Sequence, residues 1–238
     1  MKICTLCPRM CAVDRKSGER GICGQTTEIK VARAALHFWE EPCISGEMGS
    51  GAVFFSGCAL HCVFCQNENI ANGTAGKVIS TERLGEIFLE LQEKGANNIN
   101  LVTPGQFVPQ IIKAVELARN QNLKIPIVYN TSSYENVDTI RSLEGIVDIY
   151  LPDFKYFDTA LSAKYSHAPD YPAVAKAVIA EMVRQTGAAV FENGEDSLMK
   201  RGTIVRHLIL PGCTKDSKAV LKLSLIHISE PTRLQLIS

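Results

Sequence analysis

Cys58, Cys62 and Cys65 stand at Cys-x3-Cys-x2-Cys spacing within the stretch Phe-Phe-Ser-Gly-Cys-Ala-Leu-His-Cys-Val-Phe-Cys-Gln-Asn, which runs from Phe54 to Asn67. Three thiolates on one short loop match three corners of an iron–sulfur cubane and leave the fourth iron open for chemistry. A cluster that only carries electrons usually takes four thiolates. A three-thiolate loop with an aromatic residue, Phe64, just before its last cysteine therefore points to a small molecule completing the coordination. A structural zinc site would want a fourth protein ligand, and no His or Cys follows soon after Cys65. The apolar run Ala52-Val53-Phe54-Phe55, ending in Ser56-Gly57, reads as a short buried strand feeding this loop.

A second group of thiols precedes the first. Cys4, Cys7, Cys11 and Cys23 read Cys-x2-Cys-Pro-Arg-x-Cys-x11-Cys-Gly, and Gly18, Gly21 and Gly24 supply the tight turns that a metal knuckle needs. The spacing suits a closed four-thiolate site, separate from the cluster loop, and both zinc and a second iron–sulfur cluster satisfy it. Cys43 and Cys213 stand alone and read as ordinary thiols.

These groups must be positioned by the rest of the chain. Its 238 residues, 46% hydrophobic, suffice for one sizeable core of the α/β-barrel kind plus a small appendage. The formal net charge of +0 implies no broad attraction to nucleic acid or to a membrane surface, so a small-molecule or protein substrate is expected. No apolar run approaches the ~20 residues that span a bilayer. The opening Met-Lys-Ile-Cys-Thr-Leu-Cys lacks an apolar signal core, which points to the cytoplasm, where nine cysteines are more readily metal ligands than disulfides.

From Gly51 onward, apolar strands alternate with helix-length amphipathic stretches. Strands are expected at Ala52–Ser56, Asn98–Thr103, Ile125–Thr131, Val147–Lys155 and Thr203–Leu210. Helices are expected at Thr81–Lys94, Gln106–Gln121, Tyr134–Leu143, Pro172–Gln185 and Asp216–Lys222. Leu84, Ile87, Phe88 and Leu91 share one helical face, and Pro109 falls in a first helical turn, where it need not break the element.

Such a βα repeat predicts a parallel sheet whose reactive residues gather at the carboxyl ends of its strands. Period two puts Val147, Ile149, Leu151, Asp153 and Lys155 on one face, so the row of apolar side chains ends in an Asp and a Lys at the mouth. Thr103 and Asn130 close the second and third strands and are placed similarly, although Thr and Asn also simply build turns. Arg206 in the fifth strand offers a planar fork for a carboxylate. Its neighbour His207, and His61 in the cluster loop, read as packed or solvent-facing histidines.

The loop Cys58 to Asn67, the Asp153-x-Lys155 pair and the segment Val205-Arg206-His207-Leu208-Ile209-Leu210-Pro211-Gly212 resemble the radical S-adenosylmethionine proteins related to pyruvate formate-lyase activating enzyme. The start Cys7-Pro8-Arg9-x-Cys11 and the segment Glu41-Pro42-Cys43-Ile44-Ser45-Gly46 look like a Cys-rich branch of that family. The resemblance runs from about Cys4 to Lys222. It implies a partial (β/α)6 barrel, a [4Fe-4S] cluster on Cys58, Cys62 and Cys65, S-adenosylmethionine, and an electron donor. By the same resemblance Asp153 and Lys155 contact the ribose and carboxylate region of the cofactor, and Thr103 and Asn130 line its pocket. The chemistry it implies is reductive cleavage of S-adenosylmethionine to a 5′-deoxyadenosyl radical that takes a hydrogen atom from the substrate; a glycyl radical on a protein partner is one such outcome. One departure concerns the substrate: the activating enzymes proper often carry extra clusters in an insert after the first motif, whereas here the additional cysteines precede it.

The chain thus divides into a Cys-rich metal-binding segment (1–50), a radical S-adenosylmethionine partial barrel (51–222) and a tail (223–238). The tail looks like translated library adapter. On this reading the barrel is cut short at its C-terminal end, the fifth strand is left as an uncovered edge, and Ile226, Ile228, Leu234, Leu236 and Ile237 have no regular element because of Pro231. The competing function is a non-catalytic iron–sulfur electron carrier or metal-sensing module.

Overall fold

The βα alternation takes shape as strands delivered at one end to a common loop cluster. The computed structural model describes residues 3–193, 197–227 and 233–237. In chain order its strands are β1 (Ile29–His37), β2 (Ser50–Phe55), β3 (Lys77–Ile79), β4 (Ile99–Val102), β5 (Ile127–Thr131), β6 (Ile149–Pro152), β7 (Val190–Phe191), β8 (Met199–Leu208) and β9 (Arg233–Ile237). The helices are α1 (Pro42–Ser45), α2 (Glu68–Ala71), α3 (Thr81–Glu93), α4 (Val108–Asn120), α5 (Val137–Arg141), α6 (Thr159–Ser166), α7 (Tyr171–Thr186) and α8 (Thr214–His227).

Strand order is β3-β1-β2-β4-β5-β6-β8-β7, an open path, with β9 also paired to β8. The pairs β2-β4, β4-β5, β5-β6, β6-β8 and β8-β9 are parallel. β1, β3 and β7 join antiparallel. The molecule is therefore an α/β fold with a parallel-dominated sheet, as the alternation predicts. Three short helices and the antiparallel strands escape the periodicity argument. β1 carries Lys30 and Arg33 and shows no clean two-residue burial pattern.

Local sequence explains the helices that cover the sheet. Ser80 caps α3 by accepting the Arg83 N–H at 3.1 Å, and Leu84, Phe88 and Leu91 of that helix are buried against the sheet. Gly85 lets α3 approach α4, because a Cβ there would already lie 3.2 Å from the Ala114 carbonyl. Pro109 sits within the first turn of α4, where no intrahelical bond is lost. These helices bury Val53, Phe55, Ile99, Leu101, Ile127 and Tyr129 on one sheet face. At the 25 cal/mol per Å² typical of apolar burial, each such side chain contributes about 1.5–3 kcal/mol.

On the opposite face Ile44 of α1 packs with Val128, Ile149, Leu151, Met199 and Ile204 as an apolar plug. Two expectations need correction. Val147 does not share the face of Ile149 and Leu151; it precedes β6 and packs in the helix-side core. The fifth expected strand, β8, is not an uncovered edge, since β9 pairs with it in parallel from Ile204↔Arg233 to Leu208↔Ile237. Its partner residues 233–237 thus have a regular element; Pro231 and Ile228 lie outside the described residues.

Candidate active site

At the carboxyl ends of the parallel strands, above the plug, lies a cavity of about 560 Å³, within the size range of small-molecule sites. Cys58, Cys62 and Cys65 wall it on the loop side. Val102 and Thr103 (β4), Asn130 (β5), Asp153 and Lys155 (β6 end) and Arg206 (β8) wall it on the sheet side. The sequence-predicted residues Cys58, Cys62, Cys65, Thr103, Asn130, Asp153 and Lys155 thus meet around one space, and Arg206 joins them.

The cluster loop is held from several directions. Leu60 is fully buried, and Phe64 packs edge-on against Tyr156 and Tyr165 at ring separations of 6.3 and 6.4 Å. The Val63 N–H donates to the Tyr165 carbonyl at 2.9 Å, and the Ser166 hydroxyl donates to Cys62 Sγ at 3.1 Å, so α6 supports the loop. Gln106 Nε2 donates to the carbonyls of Ser56, Gly57 and Thr103 at 2.9, 3.0 and 2.9 Å, tying the loop to the end of β4. The Leu60 N–H points at Cys58 Sγ, 3.4 Å away. Burial, reinforced by the neighbouring Cys62 and Cys65, pushes the Cys58 thiol up to about 11 against the lowering effect of backbone N–H groups. A thiolate there wants a cationic partner of its own, which a metal cluster supplies.

Among the described residues no three His, Cys, Asp or Glu side chains are placed to hold a single metal ion. Three thiolates on one wall of the cavity are the donor set of a cubane that keeps one iron open.

The sheet side is a charge network. Asp153 Oδ2 lies 2.7 Å from Lys155 Nζ, and Asp153 Oδ1 accepts from Arg206 Nε at 2.9 Å. Arg206 also reaches Glu40 Oε1 at 3.1 Å, Glu41 Oε1 at 3.6 Å and Asn130 Oδ1 at 2.6 Å. Glu40 accepts from Asn100 at 2.5 Å and from Asn130 at 3.3 Å. Burial alone would raise the Asp153 carboxyl, yet Arg206 and Lys155 hold it below the usual carboxylate range. Burial opposes the charge on Lys155 as well, and Asp153 outweighs it, leaving the ammonium above its ordinary value. Glu41 goes the other way: burial, with Glu40 beside it, pushes its carboxyl up to about 7 despite Arg206. The Tyr171 hydroxyl lies 2.8 Å from the Asp153 carbonyl and accepts the Lys155 N–H at 2.9 Å, which fixes the backbone carrying the pair.

Sequence reasoning did not find Glu40, Glu41 and Asn100 as site residues; Glu41 entered only as part of a resembling segment. The available signal was a pair of adjacent acids ahead of Pro42, with no alternation to place them. Thr103, a β-branched residue, adopts the left-handed conformation at φ 53° at the cavity wall, an outlier of the kind that clusters at functional sites. His207 is buried and bonds the Phe154 carbonyl and Ser217, as a packed histidine does.

The N-terminal cysteines pack against the cluster loop. Cys4, Cys7, Cys11 and Cys23 line a second, smaller cavity that they share with Cys58, Thr103 and Glu135. Arg9 Nε donates to the Ala59 carbonyl at 2.9 Å, and His61 Nε2 lies 2.8 Å from the Ile22 carbonyl, so the two cysteine segments are clamped together. His61 is thus a strut between the cysteine groups.

No helix among the described residues is long and apolar enough to cross a membrane. The chain is 27% identical over 217 residues to an uncharacterized protein of Methanocaldococcus jannaschii, a match that covers 88% of this chain and 57% of that relative. The chain therefore spans little more than half of the relative's length. The family model for the Radical SAM superfamily matches residues 52–217, from β2 through the start of α8 and including the cysteine triplet, Asp153, Lys155 and Arg206. Proteins of this superfamily are enzymes that use a [4Fe-4S] cluster and S-adenosylmethionine. With that match over most of its length, and a cavity at the strand ends faced by three cysteines, this chain belongs to the radical S-adenosylmethionine superfamily.

Proposed function

We propose that Cys58, Cys62 and Cys65 hold the cluster by three irons and that S-adenosylmethionine lies between them and the strand ends, with Thr103, Asn130, Asp153 and Lys155 around it. The observation that carries this reading is the meeting of an open three-thiolate loop with the Lys155–Asp153–Arg206 array across one cavity of about 560 Å³. An electron carrier has no use for such a cavity beside its cluster. When bound, the cluster and cofactor supply a radical able to take a hydrogen atom from an unactivated carbon.

The residues of the chain have positioning tasks. Lys155 and Arg206 present cationic donors to the cofactor's carboxylate, while Asp153, held by both, accepts from the ribose hydroxyls with its remaining lone pairs. On this reading the parallel strands β2, β4, β5, β6, β8 and β9 make up a partial (β/α)6 barrel. The finer reading is an activating-enzyme-like oxidoreductase, acting with an electron donor in the cytoplasm and installing a glycyl radical on a protein partner. Phe38 and Trp39, 54% and 89% exposed between the cavity-lining His37 and Glu40, support a macromolecular substrate at the mouth.

Anaerobic reconstitution followed by reduction in the presence of S-adenosylmethionine tests the reading. Methionine and 5′-deoxyadenosine should form, and neither should form once Cys58, Cys62 and Cys65 are replaced by Ala. A fully loaded, reducible cluster that leaves S-adenosylmethionine intact would refute it in favour of the carrier.

A further inference from the structure

We propose that Cys4, Cys7, Cys11 and Cys23 hold a second iron–sulfur cluster, docked directly on the loop that carries the first cysteine triplet. The four sulfurs line one cavity, which Cys58 also lines. Their surroundings repeat a feature of the triplet loop. The Ile22 N–H bonds Cys11 Sγ at 3.3 Å, as the Leu60 N–H bonds Cys58 Sγ at 3.4 Å. Such N–H groups stabilise thiolate sulfur bound to a metal.

One buried cation is left without an anionic partner unless the site is filled. Arg15 is buried, and its guanidinium bonds the neutral carbonyls of Gln25 (3.2 Å), Gln106 (2.8 Å) and Thr26, with Cys4 Sγ 4.0 Å away. None of those partners carries a carboxylate, whereas four thiolates on a 2+ cluster carry net negative charge next to it. The docking is tight: a Cβ on Gly57 of the triplet loop would lie 2.4 Å from the Cys23 carbonyl oxygen.

The test uses the full chain carrying Cys58→Ala, Cys62→Ala and Cys65→Ala together, which removes the first site, so its outcome does not depend on the reading of that site. After anaerobic reconstitution this variant should keep about four iron and four sulfide per chain, with charge-transfer absorption in the visible. Adding Cys4→Ala and Cys7→Ala should remove both. Arg15→Met should shift the midpoint potential of the remaining cluster downward, and Arg15→Lys should restore most of it. A folded triple variant that binds no iron and sulfide, or that binds about one zinc instead, would overturn the assignment.

Discussion

Replacing Arg206 by Met should unbalance the strand-end network more than any other single change. Its guanidinium faces three carboxylates, Asp153 at 2.9 Å, Glu40 at 3.1 Å and Glu41 at 3.6 Å, all on largely buried side chains. At an effective dielectric of about 20, a pair of charges ~4 Å apart attracts by roughly 4 kcal/mol, and desolvation takes back much of it. Removing the cation leaves Glu40 and Glu41 without a counterion and Asp153 with Lys155 alone, and breaking a buried pair in this way costs about 3–5 kcal/mol. Against a typical total stability of about 5–15 kcal/mol the variant should still fold. Denaturant unfolding of the reduced, metal-free chain, followed by far-UV circular dichroism, reads the change as a lower midpoint at constant slope. Asp153→Asn in the Arg206→Met background should add less than it does alone, with a coupling of about 1–3 kcal/mol. A loss below about 1 kcal/mol would mean that the network behaves as a solvent-screened surface pair, and the burial argument would fail.

Asp153→Ala and Lys155→Ala should each weaken S-adenosylmethionine binding by roughly 10- to 100-fold, the worth of one charge-assisted hydrogen bond, while iron and sulfide stay unchanged; calorimetric affinities equal to the parent would reduce the pair to a strand-end ion pair. Glu41 has a folded pKa raised from 4.5 to about 7, so its contribution is fully present below pH 4.5 and is lost as pH rises through 7. Glu41→Gln should remove about 3 kcal/mol of that decline, so the variant gains on the parent between pH 5 and pH 8; parallel stability profiles would exclude the assignment. Gly57→Ala must accommodate φ 88° and a Cβ 2.4 Å from the Cys23 carbonyl oxygen, and should lower Tm by roughly 4–8 °C, for a cost of about 2 kcal/mol. An unchanged Tm would show that the two cysteine segments are not in contact.

The chemistry was legible where it is local. Cys58, Cys62 and Cys65 lie within one loop, so spacing alone specifies a three-cornered donor set, and period two carried Asp153 and Lys155 to the same wall even though β6 ends at Pro152. What could not be read is what tertiary contact creates. Glu40 reaches Arg206 from the connection between the antiparallel β1 and β2, which enters β2 at its amino end, where His37 pairs with Ser50. The N-terminal quartet looked self-contained because its spacing is short, yet Arg9 and His61 bind it to residues about 50 and 39 positions away. The expectation of a tail without regular structure rested on Pro231, and parallel pairing of residues 233–237 with β8 overrode that local signal.

The position of the site follows from a gradient along each strand. On the site face Val128 is followed two residues on by Asn130, Ile149 and Leu151 by Asp153, and Ile204 by Arg206. The first members pack as the plug; the second line the cavity. A bridge pairs Asp153 with Arg206, and Arg206 bonds Asn130 Oδ1 at 2.6 Å, so the polar members meet in one layer along the cavity. Placing charged groups in such a layer is unfavourable for folding unless each finds a partner, and Asp153 meets that condition by sharing its two oxygens between Lys155 and Arg206. Swapping the order on one strand should separate the two roles. Leu151→Asn would put an amide among Ile44, Ile149 and Ile204 with no partner there, costing about 2–4 kcal/mol without touching the cavity wall, whereas Asn130→Leu should spare the plug and impair cofactor binding. If Leu151→Asn instead left stability unchanged, or Asn130→Leu left S-adenosylmethionine affinity unchanged, the division into a supporting layer and a binding layer would be wrong.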